Sequence, residues 1–180
     1  LRQNQRGAGY VEGTFSITNS FIVGNVGTNF GGLDIADLDP TDTLAHNTFA
    51  QNQASSNMPG GLRCLGSGTA RNNILFGSLG TTVETNTGGC AHETSLIGTS
   101  MFAGTGNVFA AAIEDLRFED LASSPRDYHI NTGSAAIAKG GAGDGTGRLA
   151  RDVDGEPRPT TMADVGTAAT IGPSSGAASG

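Results

Sequence analysis

Short apolar stretches recur along the first hundred residues, and a polar residue follows each at the same distance. The segments are LRQNQ from Leu1, ITNSFIVGN from Ile17, LAHNTFAQN from Leu44, ARNNILFGS from Ala70 and AHETSLIGT from Ala91. Aligned without gaps, they give an apolar column of Leu1, Ile22, Phe49, Leu75 and Leu96. A polar column follows it: Asn4, Asn25, Asn52, Ser78 and Thr99. A second set of segments gives another apolar column: Tyr10, Leu33, Leu62, Val83 and Val108.

These columns predict a stack of short strands and turns. The interval, roughly 20 to 30 residues, is typical of solenoids, propellers and repeat arrays. Helical repeats would need long amphipathic stripes, and propeller blades need roughly 40 residues each, so neither fits. In the alternation from Phe15 to Thr18, we expect Phe15 and Ile17 to point inward. The sequence therefore predicts a β-solenoid whose strands lie about 4.8 Å apart.

A second polar column, formed by Ser20, Asn47, Asn73 and Thr94, falls at a predicted turn. Like polar side chains can stack there and hydrogen-bond from one repeat to the next. We favour this structural ladder, and a binding role for the same residues is the alternative.

The ends of the chain differ from its middle. Because LRQNQ resembles FAQNQ at Phe49, we expect it to be the end of a coil that begins upstream. The segment 110–121 predicts a short capping helix or a last irregular coil. We predict β-helix coils over residues 1–119, a C-terminal capping segment over 120–171 and a flexible spacer over 172–180.

Composition supports this interpretation and excludes some partners. The chain has 180 residues, with 29 glycines, no tryptophan and 15% charged residues, which favours many turns over long helices. A net charge of −7 leaves no basic stripe for nucleic acid. No apolar run reaches the roughly 20 residues of a membrane helix.

Two stretches resemble a known family. GAGYVEGTFSITNSFIVGN is similar to segments of bacterial surface and secreted proteins with right-handed parallel β-helices, in the pectin-lyase-like superfamily. DYHINTGSAAIAKGG, RDVDGEPRP and ADVGT resemble the C-terminal segment of choice-of-anchor β-helix proteins, although Ala135 stands where that family usually has proline. The resemblance implies an all-β, right-handed parallel β-helix of about five coils, secreted or displayed on the cell surface.

Three charged residues follow the GGL-type strands: Asp34, Arg63 and Glu84. If the register holds, these residues lie on successive coils and face outward. The resembled family builds its polysaccharide clefts from charged residues placed in this way. A carboxylate there could hold Ca²⁺ against a uronate while a cation acts on a proton. A surface ladder of alternating charge is the interpretation we favour. Phe109 would follow in the same column as a sugar-stacking ring.

The acidic loop LDIADLDPTDT contains further candidates for metal binding: Asp37, Asp39 and Asp42. Carboxylate oxygens suit Ca²⁺, but the spacing matches no EF-hand, and solvated turn acids are the favoured interpretation. No cofactor is required by any pattern here. The three histidines show no zinc spacing, and we expect them at turns or on the surface.

The two cysteines, Cys64 and Cys90, lie about one coil apart. We favour a disulfide that joins adjacent coils, with two buried free thiols as the alternative.

Two functions remain open from the sequence. The first is a non-catalytic extracellular or cell-surface module that contacts polysaccharide, cell-surface glycans or other surface molecules. The second is a polysaccharide lyase or glycoside hydrolase that uses Asp34, Arg63 and Glu84 on an acidic polysaccharide. We expect a monomer in either case.

Overall fold

The computed structural model describes residues 7–55, 58–78, 89–98, 104–110, 112–137, 139–141 and 149–157. Within these ranges the chain is an all-β protein of short, mostly parallel strands with one 3-10 helix. The predicted all-β class is therefore confirmed.

The strands follow one another in successive repeats along the chain. The first repeat contains β1 (Gly9–Val11), β2 (Ser16–Thr18), β3 (Phe21–Val23) and β4 (Val26–Gly27). The second contains β5 (Leu33–Ile35), β6 (Thr43–Ala45), β7 (Thr48–Ala50) and β8 (Gln53–Ala54). Next come β9 (Leu62–Cys64), β10 (Thr69–Arg71) and β11 (Ile74–Phe76), then β12 (Ala91–Glu93), β13 (Leu96–Ile97) and β14 (Val108–Phe109). The 3-10 helix (Ile113–Leu116), β15 (Phe118–Asp120) and β16 (Asp127–Ile130) complete the described elements.

Each strand of one repeat pairs in parallel with its counterpart in the next. This pairing builds sheet I (β1-β5-β9), sheet II (β2-β6-β10-β12) and sheet III (β3-β7-β11-β13-β14). The short strands β4 and β8 form a further parallel pair. Only β15 and β16 make an antiparallel hairpin among the described strands.

The inward-facing residues of the three sheets share one apolar core. The predicted column of Ile22, Phe49 and Leu75 is confirmed, since these residues are register partners and fully buried. The assignment of Leu96 as its last member is wrong, because Ile97 pairs with Leu75. Because both residues are apolar, the pattern could not distinguish them.

The second predicted column also needs correction. Leu33 and Leu62 are partners, as expected, but Leu33 pairs with Gly9 and not with Tyr10. Val108 lies in sheet III, where it pairs with Leu96. Val83 lies outside the described residues, as do Leu1, Asn4 and Thr99.

The predicted polar ladder joins sheets II and III. The Asn47 Oδ1 atom accepts the N–H of Ser20 at 3.1 Å, and Asn73 Oδ1 accepts the N–H of Asn47 at 2.9 Å. In the next repeat, the ladder is continued by Ser95 and not by the predicted Thr94. The Ser95 hydroxyl oxygen accepts the N–H of Asn73. A parallel ladder forms where Asn52 Oδ1 accepts the N–H of Asn25 at 3.0 Å.

Sheet III is apolar on its outer face as well, and a lateral segment covers that face. We call residues 112–137, which contain the 3-10 helix and the β15–β16 hairpin, the C-terminal arm. Leu116 and Ile130 of the arm pack with Ile74 and Leu96. Tyr128 packs with Val23 near the opposite edge, and its hydroxyl donates to Gln51 Oε1 at 2.8 Å.

The arm bears on the predicted domain organisation. Strand β15 contains residues on both sides of the predicted boundary between 119 and 120. Of the two alternatives for 110–121, a short helix is present: the 3-10 helix ends at Leu116 and is followed by Arg117, which has a φ of 46°. The predicted spacer, 172–180, lies outside the described residues.

Candidate functional site

The outward face of sheet I carries a row of polar side chains on three adjacent strands. Asp34 on β5 is the register partner of Tyr10 on β1 and of Arg63 on β9. Neighbouring strands in a sheet lie about 4.8 Å apart, so the three side chains stand side by side. Their inward-facing neighbours Leu33 and Ile35 belong to the core, and this alternation turns Asp34 outward.

Asp34 and Arg63 form an ion pair. The Arg63 Nη1 atom donates to Asp34 Oδ1 at 2.7 Å, and only 8% of Asp34 is exposed. Opposite charges on neighbouring strands stabilise a sheet, and a charged donor strengthens the hydrogen bond. The structure therefore brings together two of the three predicted charged residues. The third, Glu84, lies outside the described residues.

Tyr10 is the residue of this face that the sequence did not assign to it. Its ring is 55% exposed, and its hydroxyl donates to Glu12 Oε2 at 3.0 Å. This hydrogen bond raises the pKa of Tyr10. The alternation of Tyr10 with Gly9 and Val11 is a signal for this position, whereas the column alignment predicts Tyr10 in the inward column with Leu33.

Phe109 was predicted to extend this row, and that prediction is wrong. It lies in β14 of sheet III, where it pairs with Ile97. The residue is 47% exposed and continues the inward column of sheet III on its last described strand.

The acidic loop holds its carboxylates in different environments. Asp42 accepts the backbone N–H of Phe15 through Oδ1 and that of Asp39 through Oδ2, each at 2.9 Å. Asp37 and Asp39 are exposed, while Leu38 between them is buried in the core. Asp42 thus stabilises the turn itself, as expected for a turn acid. No group of three or more metal-binding side chains occurs among the described residues.

The predicted disulfide is confirmed between Cys64 and Cys90. Both residues are buried, and the N–H of Cys90 donates to the carbonyl of Cys64 at 3.1 Å. The bond therefore joins β9 of sheet I to the segment that leads into β12. It stabilises the stack immediately beside Arg63.

The histidines differ from the prediction that all would lie at turns or on the surface. His46 does occupy a turn, with a φ of 56°, but it is buried. His92 lies in β12 and pairs with Ala70 in an inward-facing column, so burial lowers its pKa to about 4. His129 is partly buried in the arm between two carboxylates, Asp127 and Asp154.

The outward face of sheet I offers a ring, a hydroxyl donor, a guanidinium and two carboxylates over a short distance. Such a set suits a ligand rich in hydroxyl groups, since the ring can stack while the charged groups hydrogen-bond. Comparison of the chain with protein-family models, curated proteins and solved structures found no match. Among the described residues, no helix has both the length and the apolarity needed to span a membrane.

Proposed function

We propose that the chain is a right-handed parallel β-helix of the pectin-lyase-like kind that binds polysaccharide without acting on it. Three features support this architecture. Successive repeats extend each sheet in parallel, one core lies between the sheets, and asparagines stack at the turn. Connections between parallel strands of one sheet are almost always right-handed.

The row formed by Tyr10, Asp34 and Arg63 carries the functional proposal. An exposed tyrosine supplies apolar area for a sugar ring and loses little side-chain entropy on binding. The hydroxyl hydrogen bond to Glu12 fixes one orientation of that ring. Beside it, the buried carboxylate of Asp34 holds the guanidinium of Arg63, whose other N–H groups can serve sugar hydroxyls or a uronate.

The ion pair favours binding over catalysis. A general base must reach a substrate proton, and Asp34 is only 8% exposed, with one carboxylate oxygen held by Arg63. An inverting hydrolase would also need a second carboxyl group roughly 6.5 to 9.5 Å away with room for water between. Arg63 occupies the neighbouring position in the row. The lyase or hydrolase function is the alternative that the experiment below must exclude.

The test combines binding and turnover on the same glycans. Neutral and uronate-containing polysaccharides are titrated calorimetrically, with Ca²⁺ and with a chelator, while reducing ends and unsaturated products are followed. We expect binding without product formation. Tyr10→Ala should weaken binding about fivefold, since loss of a stacked ring costs about 1 kcal/mol. Phe109→Ala is the matched control and should bind like the wild-type chain.

Three results would contradict the proposal. The first is a wild-type chain that binds none of these glycans, and the second is equal weakening by the Tyr10 and Phe109 variants. The third is product formation that disappears in Arg63→Ala, which would support the enzyme. Binding that requires Ca²⁺ would assign a metal to the site.

We propose a secreted or surface-displayed location and a monomeric state. The disulfide supports the location, because such bonds persist mainly in oxidising compartments. Fractionation of the source cells and sedimentation of the purified chain would test the two statements separately.

A further inference from the structure

Residues 151–157 form a small closed loop near the C-terminal end of the described chain; we call it the terminal loop. Arg151 and Pro157 form an antiparallel bridge at its base. Inside it, Asp152 Oδ1 accepts the N–H groups of Asp154 and Glu156 at 3.0 and 2.9 Å. Asp152 is itself buried, so the loop has a defined internal structure.

Polar contacts attach this loop to the rest of the molecule. The Asn19 Nδ2 atom donates to the carbonyl of Arg151 at 2.8 Å. On the other side, His129 Nε2 lies 2.9 Å from Asp154 Oδ2. None of the described apolar clusters includes a residue of the loop, and Val153 is exposed. The contacts of the loop with Asn19 and with His129 are thus both polar.

His129 stands between two carboxylates that belong to different segments. Its Nδ1 atom contacts Asp127 Oδ1 on its own strand, while Nε2 faces Asp154 in the loop. The Phe21 ring of sheet III packs against the imidazole edge-on, with centroids 5.4 Å apart, and carries no charge. Across the hairpin, Glu119 accepts a hydrogen bond from Asn131.

We propose that His129 is a pH-dependent latch that holds the terminal loop against the arm while both ring nitrogens carry protons. An imidazolium can donate to both carboxylates, whereas a neutral imidazole has one N–H. After deprotonation, one carboxylate faces a ring lone pair at contact distance, which is repulsive. Asp127 lies on the same strand as His129 and stays beside the ring, so Asp154 is the carboxylate that moves away from it.

The direction of the effect follows from the charges around the ring. Burial opposes the charged form, but hydrogen bonds and charge from Asp127 and Asp154 outweigh it and raise the pKa of His129 above 6.5. The latch is fully closed below pH 6.5 and opens as the pH rises through the raised pKa. A move from a mildly acidic to a mildly alkaline medium therefore releases the loop from His129.

A pH titration followed by NMR tests the latch in the full chain. Ring resonances give the midpoint of His129, and ¹⁵N relaxation gives the order parameters of the loop amides. We expect order parameters of about 0.85 at the acidic end and below about 0.6 at the alkaline end. The two changes should share one midpoint, and that midpoint should lie above 6.5.

Two variants and one control separate the latch from a structural role. Asp154→Asn should lower the midpoint of His129 and leave the loop mobile throughout the titration. His129→Gln should remove the pH dependence of the loop. Asp37→Asn, which neutralises an exposed carboxylate on the acidic loop, should change neither. Loop order that stays constant through the His129 titration would overturn the latch, as would an unchanged midpoint in Asp154→Asn. The latch does not depend on glycan binding.

Discussion

Replacing Asn47 with alanine should reveal how much free energy the asparagine ladder contributes. The side chain is fully buried and makes three hydrogen bonds. Its Oδ1 atom accepts the N–H of Ser20, and Nδ2 donates to the carbonyl of Ile17 and to Asn73 Oδ1. Alanine would leave all three partner atoms without this contact.

We expect the free energy of unfolding to fall by about 3 kcal/mol, at roughly 1 kcal/mol for each lost bond. Ser20 and Ile17 are partly exposed, and water can replace the lost hydrogen bonds there. The expected loss in the free energy of unfolding therefore lies between about 2 kcal/mol, with such water, and about 3 kcal/mol, without it. A loss of 3 kcal/mol corresponds to about two orders of magnitude in the folding equilibrium. Urea denaturation followed by far-ultraviolet circular dichroism measures it, with an unchanged m-value showing that the same surface unfolds.

The matched control is Gln53→Ala, because Gln53 is an exposed amide on β8 and should cost less than about 0.5 kcal/mol. Combining Asn47→Ala with Asn73→Ala should give a coupling energy of at least about 0.5 kcal/mol, since the two side chains share a hydrogen bond. If Asn47→Ala unfolds at the same urea concentration as the control, the ladder does not stabilise the stack, and our reasoning is refuted.

Three further predictions concern the disulfide, a buried base and a close backbone contact. Reducing the Cys64–Cys90 bond, which spans 26 residues, should lower stability by about 3 kcal/mol in thermal or urea unfolding. The free energy of unfolding should fall by about 3 kcal/mol as the pH falls from 6.5 to about 4, because His92 takes up a proton in the unfolded chain at a higher pH than in the folded one. His92→Leu should flatten this pH profile. Gly32→Ala should abolish folding or cost more than about 3 kcal/mol, because its Cβ would lie 1.8 Å from a carbonyl oxygen of the next repeat. Gly9→Ala, whose Cβ would meet only an ordinary contact at 3.5 Å, is its control in the same unfolding assay.

Each of these predictions has a result that would contradict it. An unchanged melting temperature after full reduction would show that the disulfide does not constrain the unfolded chain. An acid slope that persists in His92→Leu would assign the slope to carboxylates. A well-folded Gly32→Ala variant would show that the two backbones can separate at low cost.

The repeats could be read from the sequence wherever one residue type was distinctive. Alignment of the repeated segments places Ile22 and Phe49 in one inward column, and an asparagine such as Asn47 marks the turn. The register was lost where neighbouring residues have the same character, as with Leu96 and Ile97. A shift of one residue moves every side chain to the other face.

The same loss of register hid part of the candidate site. Asp34 and Arg63 were predicted as neighbours because each follows a Gly-Gly-Leu segment. Tyr10 follows a different segment, so its place beside Asp34 became visible only when the strand pairs were known. The pairing of His129 with Asp154 joins distant segments and has no local signal.

The covered outer face of sheet III did have a signal in the sequence. Phe21–Val23 and Ile74–Phe76 are continuous apolar runs, and such runs are typical of strands buried on both faces. The arm that covers this face is partly irregular and follows no period.

The arm also limits how the molecule can change in length. Repeats that present the same edges at top and bottom can be duplicated or deleted without new contacts in the stack. The arm, however, meets Val23 and Gln51 toward one edge of sheet III and Leu96 toward the other. An inserted repeat between these two sets of contacts would move them apart by about 4.8 Å, and the arm could then reach only one of the two. The length of the C-terminal arm therefore limits how many strands sheet III can have between these contacts.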